Sequence, residues 1–489
     1  MFARFSLQER WRFAVCAALA AFVFSSRAWL IRTGGSPVPF WDQWDAEVTN
    51  LYSPWLHGNL RWSDLWQPHN EHRILFTRLF DLLLLEVLGT WNPWAQMILG
   101  AVLHAASAAA LAAVFWPATL LKSRGSLIVG LALLFSATCG WQNATWGFQF
   151  QVYLADIFSI MAFAGLCLAP ALSRKWWLGL GFAVLALFTN GGGILALAAV
   201  VPIGFFFTPR DKHRWVSCGL LLGVLALASR MNHEVAQHIP LRAHSVSQFF
   251  AVFTRCLAWP WVDFGALAVI MQLPLAALLF RQWRRGEPLD PAERFALALG
   301  FLGLLQAAAI AYSRGGGLLE ARPLSRYQDP LLLGTAAQLF AAVRLWSSPS
   351  RLMRVSLLIG GGIAVAGLIA LTETNLTLHL PYKRAQDRAS LAVLRSYATG
   401  DKTAFVRDKN EFGRHPNPLA IQGAFDDPAL RAILPADLLV SPDSPPPIPP
   451  WVVRQGPALT AGSAILLLFL IFSACKRESP ANVVDPKIA

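Results

Sequence analysis

The residues most able to do chemistry lie in two short polar stretches of an otherwise apolar chain. The first is "PFWDQWDAE", residues 39–47, with Asp42, Asp45 and Glu47. Paired carboxylates suit general-base work or a divalent cation. On a helix Asp42 and Asp45 would share a face at i and i+3; in a loop they can still converge on one ion. The second stretch, "HNEHR", sets His69, Asn70, Glu71, His72 and Arg73 directly before an apolar run. As a metal motif it is poor, because the two histidines are spaced i, i+3 and the H-E-x-x-H order is absent. As a helix start it uses Asn70 as cap and Glu71 on the dipole, which leaves His69, His72 and Arg73 unexplained. The plain alternative is a solvated loop whose Trp41, Trp44, Trp55, Trp62 and Trp66 sit at the headgroup level.

A third stretch, "AYSRGGGLLEARPLSRYQDP" at 311–330, carries Arg314, Arg322, Arg326 and Tyr327. The planar guanidinium fork matches phosphate, so a lipid phosphate or pyrophosphate is one partner for these arginines. Salt bridges to Glu320, Asp329 or the first-loop acids are the other. Gly315, Gly316 and Gly317 allow backbone amides to approach the same anion. The turn "GWQNATWGFQFQ" at 140–151 is dense in Trp, Gln and Asn; it suits sugar hydroxyls and stacking, or equally an interfacial belt.

The elements that must position these residues are membrane helices. Of 489 residues, 55% are hydrophobic and 14% charged, with a mean hydropathy of +0.46. A bilayer core of roughly 30 Å takes about 20 apolar residues per helix. Spans are expected near 13–31, 94–116, 125–140, 149–170, 176–189, 192–208, 215–229, 261–280, 295–313, 329–346, 355–372 and 458–475. With a basic N-terminus inside, the connections "LKSR", "LSRKWW", "PRDKHR", "RQWRRGEPLDPAER", "SSPSRLMR" and the tail "CKRE" all fall inside and all are basic, as the positive-inside rule requires. That placement explains the net charge of +13 without a nucleic-acid partner. The expected fold is therefore an all-α polytopic membrane protein of about 12 transmembrane helices, both termini cytoplasmic, in a bacterial inner membrane.

Residues 74–89 carry Arg78, Asp81 and Glu86 and are expected to form an interfacial or re-entrant outer helix; counting them as a span would reverse every later loop. The expected division is a membrane domain at 1–372 with a first periplasmic loop at 32–93, a small periplasmic segment at 373–457, and a last helix with its tail at 458–489. The short pair around "FTNGGG" implies an outward cavity, since non-helical backbone at membrane depth needs protein or water beside it. Cys16, Cys139, Cys167, Cys218, Cys256 and Cys475 lie in or at the ends of apolar segments with no C-x-x-C pair, so they read as inert thiols. The first apolar run resumes straight after "SRA", as an uncleaved helix would.

With its acidic first outer loop, many short spans and late outer Arg–Tyr cluster, the chain resembles the GT-C superfamily of membrane glycosyltransferases. That resemblance implies a polyprenyl-phosphate sugar donor, a glycan or lipid acceptor and chemistry on the outer face. It implies Asp42, with Asp45, as base or cation ligand, and Arg322 and Arg326 with Tyr327 as the phosphate site. The residue types themselves add Glu47, His69, Glu71, His72, Arg73 and Arg314 as expected substrate contacts, with Mg or Mn as the candidate cofactor. The D-x-x-D-x-E spacing departs from the family's D-x-D or D-E pattern, and 373–457 is short beside oligosaccharyltransferase domains. A lipid-sugar flippase and an O-antigen-type polymerase or ligase are the alternatives. The flippase would need mid-membrane charges and repeats, and the ligase would not need the acidic first loop.

Overall fold

The computed structural model describes residues 6–208, 212–231, 233–286, 288–318, 322–347, 350–407 and 418–477. Glu320 lies outside them. The chain is all-α apart from one two-stranded hairpin. Helix α1 (Leu7–Gly34) opens on a capping box, Ser6 Oγ accepting from Glu9 N while Glu9 Oε2 accepts from Ser6 N. After the first loop come α2 (Leu75–Leu88), α3 (Pro93–Phe115), α4 (Leu121–Ser136), α5 (Phe150–Leu168), α6 (Arg174–Ala186), α7 (Gly193–Phe207), α8 (Lys212–Ser229), α9 (Val246–Leu257), α10 (Ala268–Arg285) and α11 (Pro291–Arg314). The order continues with α12 (Leu332–Leu345), α13 (Arg351–Thr374), α14 (Leu380–Ala398) and, last, α15 (Gly456–Arg477).

Every stretch expected to span is helical along most of its length. Among the described residues, however, eight helical stretches are long and apolar enough to cross a membrane, not twelve. Helices α6, α7 and α12 have 13, 15 and 14 residues. At 1.5 Å per residue they fall well short of a 30 Å core. Helix α8 has 18 residues but begins Lys-His-Arg. An integral membrane protein follows from the eight.

Helix α2 inverts the usual pattern. It buries Thr77, Arg78 and Asp81 and turns Leu79, Leu83 and Val87 outward. Arg78 Nη1 donates to the carbonyls of Asp64, Leu65 and Gln67 at 2.9, 3.0 and 2.6 Å. Polar groups facing protein and leucines facing out suit a helix bathed in lipid.

The bundle holds one large apolar core, in which Phe115 stacks on Phe340 at 4.2 Å and meets Phe295 edge-on at 5.5 Å. A second core joins the first loop to the later polar segment: Trp44, Leu51, Tyr52 and Trp91 pack with Leu394, Phe425 and Leu438. The expected boundary at 372–373 falls inside one continuous helical run from Arg351 to Ala398, with a π-helical turn at Asn375–His379.

One polar knot crosses the bundle core. Asp329 is wholly buried at the head of α12; its Oδ2 accepts from Tyr153 OH at 2.7 Å and Asn143 Nδ2 at 3.1 Å, and its Oδ1 lies 3.5 Å from Arg27 Nη2. Arg27 Nη2 also meets His104 Nε2 at 2.7 Å. A Cβ on Gly140 would come within 2.0 Å of the Asp329 carboxylate, so the position admits only glycine. Removing one partner of a buried pair strands the other charge and costs roughly 3–5 kcal/mol. Arg27→Ala and Asp329→Ala are each expected to lower thermal stability in detergent by that order. The double variant should lose clearly less than the sum; additive losses would show that the pair is not coupled.

Candidate functional site

The first loop forms its own compact structure before it reaches the bundle. Trp41 takes a left-handed φ of 43°, and the chain then enters a π-helix from Gln43 to Tyr52. A π-helix is wider than an α-helix, so i and i+4 come closest to alignment rather than i and i+3. Gln43 and Glu47 accordingly share the buried face, Gln43 Nε2 lying 3.5 Å from Glu47 Oε2. Asp42 and Asp45 are not brought onto one face as an α-helix would bring them. Asp42 heads the turn, but its side chain makes no cap hydrogen bond. It stays half-exposed with Oδ2 4.0 Å from His69 Nε2. Asp45 is half-buried one turn on.

"HNEHR" is a hairpin, not a helix start. Pro68–His69 pairs antiparallel with His72–Arg73, and Asn70 turns the corner at φ 50°, a conformation asparagine tolerates. The cap of α2 is Ile74, which has no side-chain bond to give. The expectation of Asn70 as cap and Glu71 on the dipole is thus overturned by a two-residue turn. The turn pushes Glu71 toward the bundle. Its Oε1 accepts from His238 Nδ1 at 2.6 Å and lies 3.2 Å from Arg314 Nη2. His72 Nδ1 accepts the Gly191 N–H at 3.0 Å, which fixes the ring proton on Nε2. A Cβ at Gly191 would meet that nitrogen at 2.6 Å. The glycine turn expected to sit beside an outer cavity is therefore covered by the hairpin.

The Arg–Tyr loop approaches from the other side. Tyr327 OH accepts from Arg314 Nε at 3.1 Å and Arg326 Nη2 at 3.3 Å. The Arg326 guanidinium lies 5.2 Å from the Tyr327 ring centroid. This loop is tied down by the aromatic turn: Ser325 Oγ donates to Cys139 O at 2.6 Å, and Arg326 N donates to Gln142 Oε1 at 3.1 Å. Asn143 Nδ2 donates to Arg326 O and Asp329 Oδ2 alike, each at 3.1 Å. On its far side the same turn supports the hairpin, Phe148 packing edge-on to His69 at 5.6 Å and Trp146 to Phe40 at 5.1 Å. Trp146 is buried, Asn143 Nδ2 is shared between Arg326 O and Asp329, and Gln142 Oε1 accepts from Arg326 N, so these residues brace the Arg–Tyr loop.

Asp42, His69, Glu71, His72, Arg314, Arg326 and Tyr327 thus gather around one pole of the bundle. Three expected residues stand apart. Arg322 pairs with Asp263 at 3.3 Å. Arg73 donates to the carbonyls of Trp66 and Met231. Glu47 is buried beneath the site, accepting from Trp91 Nε1 at 2.5 Å and Gln96 Nε2 at 2.8 Å. His238, on the 3-10 turn Ala236–Leu241, belongs to the cluster and was not foreseen; "QHIP" carries no motif. The scan against protein-family models matches none, and the search of curated proteins finds no match. The reading of the site rests on its geometry.

The electrostatics divide the acids. Burial alone would lift Glu71, but the Arg314 guanidinium, His72 and the His238 bond hold it down at about 2, so it is ionised. Burial lowers His72 to about 4 against the pull of Glu71, with His69 and Arg314 adding to the fall. It is neutral at pH 7, as its bond from Gly191 requires. Burial pushes Glu47 up to about 7 despite donors from Gln96, Trp91, Gln43 and Tyr52. Asp81, whose Oδ1 shares Gln96 Nε2 at 2.7 Å, is raised by burial and by Glu47 itself.

Among the described residues, no three His, Cys, Asp or Glu side chains gather closely enough to hold an ion. Glu71 is engaged by Arg314 and His238 instead. These donors do not fit the Mg or Mn that the resemblance implies, and no step below runs through a metal.

Glu47 favours folding most when it is protonated. Its contribution is whole below its ordinary value of 4.5 and fades as pH rises through about 7, a loss of about 3 kcal/mol at most at 1.36 kcal/mol per unit. Glu47→Gln, which mimics the protonated acid, is expected to match wild type in melting temperature at pH 5 and to exceed it at pH 8. An identical pH slope in both proteins would refute the assignment.

Proposed function

We propose that this chain is an integral membrane glycosyltransferase of GT-C type. In this reading it moves a sugar from a polyprenyl-phosphate donor to a glycan or lipid acceptor at the outer face of a bacterial inner membrane. The observation that carries the reading is the presence at one pole of a half-exposed carboxylate, Asp42, and a guanidinium, Arg326, held by a phenol rather than a carboxylate. Asp42 caps nothing, and among the described residues Arg326 has a phenol rather than a carboxylate as its side-chain partner.

The donor phosphate lies on the Arg326 fork beside Tyr327. Asp42, with His69 at its side, takes the acceptor hydroxyl proton. The hydroxyl oxygen bonds to the anomeric carbon as the carbon–phosphate oxygen bond breaks, and the lipid phosphate leaves with its charge on Arg326. One displacement of this kind inverts the anomeric centre. Glu71 and Arg314 act indirectly, the carboxylate neutralising Arg314 so that Arg314 holds Tyr327 in place. Asp45 lines the acceptor side and Arg322 the rim. Twelve crossings with both termini inside belong to the same reading, the short helices α6, α7 and α12 crossing where the bundle thins the lipid around them.

The test is donor turnover by purified protein in nanodiscs with a mixed pool of polyprenyl-phosphate sugars. Asp42→Asn is expected to lose roughly 10²–10⁴-fold and Arg326→Ala roughly 10²–10³-fold, both with wild-type melting. Arg322→Ala, whose charge Asp263 already answers, should stay within about tenfold. Turnover that needs Arg326 and ignores Asp42 would favour the ligase reading. No turnover of any donor would sink the transferase.

A further inference from the structure

Helix α1 ends against the start of α15. Ser25 Oγ meets Ser463 Oγ at 2.9 Å, and Arg32 Nη1 donates to Arg454 O at 2.6 Å, so the two helices run antiparallel. Arg454 closes the short helix Trp451–Arg454, and α15 begins two residues later. The first turns of α14 complete the junction: Leu380 packs with Leu30, and Arg384 Nη2 donates to Arg32 O at 3.2 Å. Arg32, Arg384 and Arg454, far apart in the chain, thus meet on one strip, and all three are exposed.

Two of the three have a plain structural role. Arg32 and Arg384 each answer a carbonyl at a helix end, where a cation is welcome. Each spends one N–H on it, and a guanidinium carries five. Arg454 lends Arg32 its backbone oxygen, not its side chain. Among the described residues no carboxylate pairs with any of the three. The one acid of α14, Asp387, is taken by Lys383 at 2.6 Å. Arg388, one turn beyond Arg384, adds a like charge on the same face. With no carboxylate paired there, the strip is suited to hold an anion rather than to react with it.

Its surroundings say which anion. Trp29 at 47% and Trp451 at 63% exposure flank the strip, and aromatic side chains of this kind mark headgroup level. Further along α15, Ile465, Leu468 and Phe469 face outward. A phospholipid meets groups in that order, phosphate first and acyl chains after. A zwitterionic head would bring its ammonium to the same guanidiniums, so an anionic head is favoured.

We propose that Arg32, Arg384 and Arg454 hold the phosphate of an anionic phospholipid whose chains lie along α15. None of the three belongs to the cluster around Asp42 and Arg326, so the site does not depend on the transferase reading.

Native mass spectrometry of the full-length protein tests it, with equimolar phosphatidylglycerol and phosphatidylcholine of one chain type. Phosphatidylglycerol is expected to be retained by about tenfold or more over phosphatidylcholine. Arg454→Gln removes a charge and leaves the oxygen that holds Arg32, so it should melt as wild type and lower that ratio about fivefold. Arg384→Gln should lower it by a similar factor. Lys175→Gln, at the start of α6, removes the same charge elsewhere and should leave the ratio unchanged. Equal retention of the two lipids by the wild type needs no variant and overturns the proposal. So does a ratio unmoved by Arg454→Gln, or one lowered as much by Lys175→Gln. Displacement of the phosphatidylglycerol by equimolar undecaprenyl phosphate would assign the strip to an isoprenoid lipid and overturn it as well, whereas binding of both together supports it.

Discussion

A buried ion pair between Arg27 and Asp329 sets what the rest of the molecule can do. Two charges inside an apolar bundle are expensive unless their remaining lone pairs and protons are met. Here the Asp329 carboxylate is met by Tyr153, Asn143 and Arg27, from α5, the turn after α4, and α1. Only one register of those elements satisfies it, and Gly140 must lie flat against it. Since Arg326 and Tyr327 stand just before Asp329, the pair that orders the bundle also aims the guanidinium. The Arg–Tyr loop is placed from inside the bundle.

The first loop shows the same principle in reverse. Glu47 and Glu71 are the same side chain in one loop, and their surroundings drive them apart. Glu47 meets neutral donors and a second acid, so burial wins and the proton stays. Glu71 meets Arg314 and His238, so ionisation wins. The π-helix makes the first inevitable by turning Glu47 inward with Gln43. The hairpin makes the second inevitable by driving Glu71 against Arg314 and His238. Backbone geometry, not residue type, distributes the roles.

Much of this was legible in the sequence, and the limits have physical causes. Apolar runs declare helices, so the spans fell close to their observed bounds. They declare crossings less well, because α6, α7 and α12 are helical but too short to cross a membrane by their own length. Charged residues excluded from an apolar bundle have few places to go. That is why Asp42, His69, Glu71, His72, Arg314, Arg326 and Tyr327 stood among the expected site residues, beside Asp45 and beside Glu47, Arg73 and Arg322, which lie apart. Partners across the chain were hidden: Gln96 and Asp81 for Glu47, His238 for Glu71, Gly191 for His72. No local pattern encodes a contact 120 or 170 residues away. The hairpin was misread because Asn serves equally as a helix cap and as a left-handed turn residue, and its neighbours decide which.

Three arginines share the loop at 311–330, and carboxylates answer two of them. Arg322 is answered by Asp263 and Arg314 by Glu71, so each forms a local pair of small net charge. Arg326 has a phenol ring and its hydroxyl instead. A phenol attracts a guanidinium without neutralising it, whereas a carboxylate cancels it. The positive charge of this loop is therefore concentrated on the one fork whose backbone is clamped by Gln142 and Asn143. A cation held rigidly and left unneutralised is an arrangement that an arriving anion would complete.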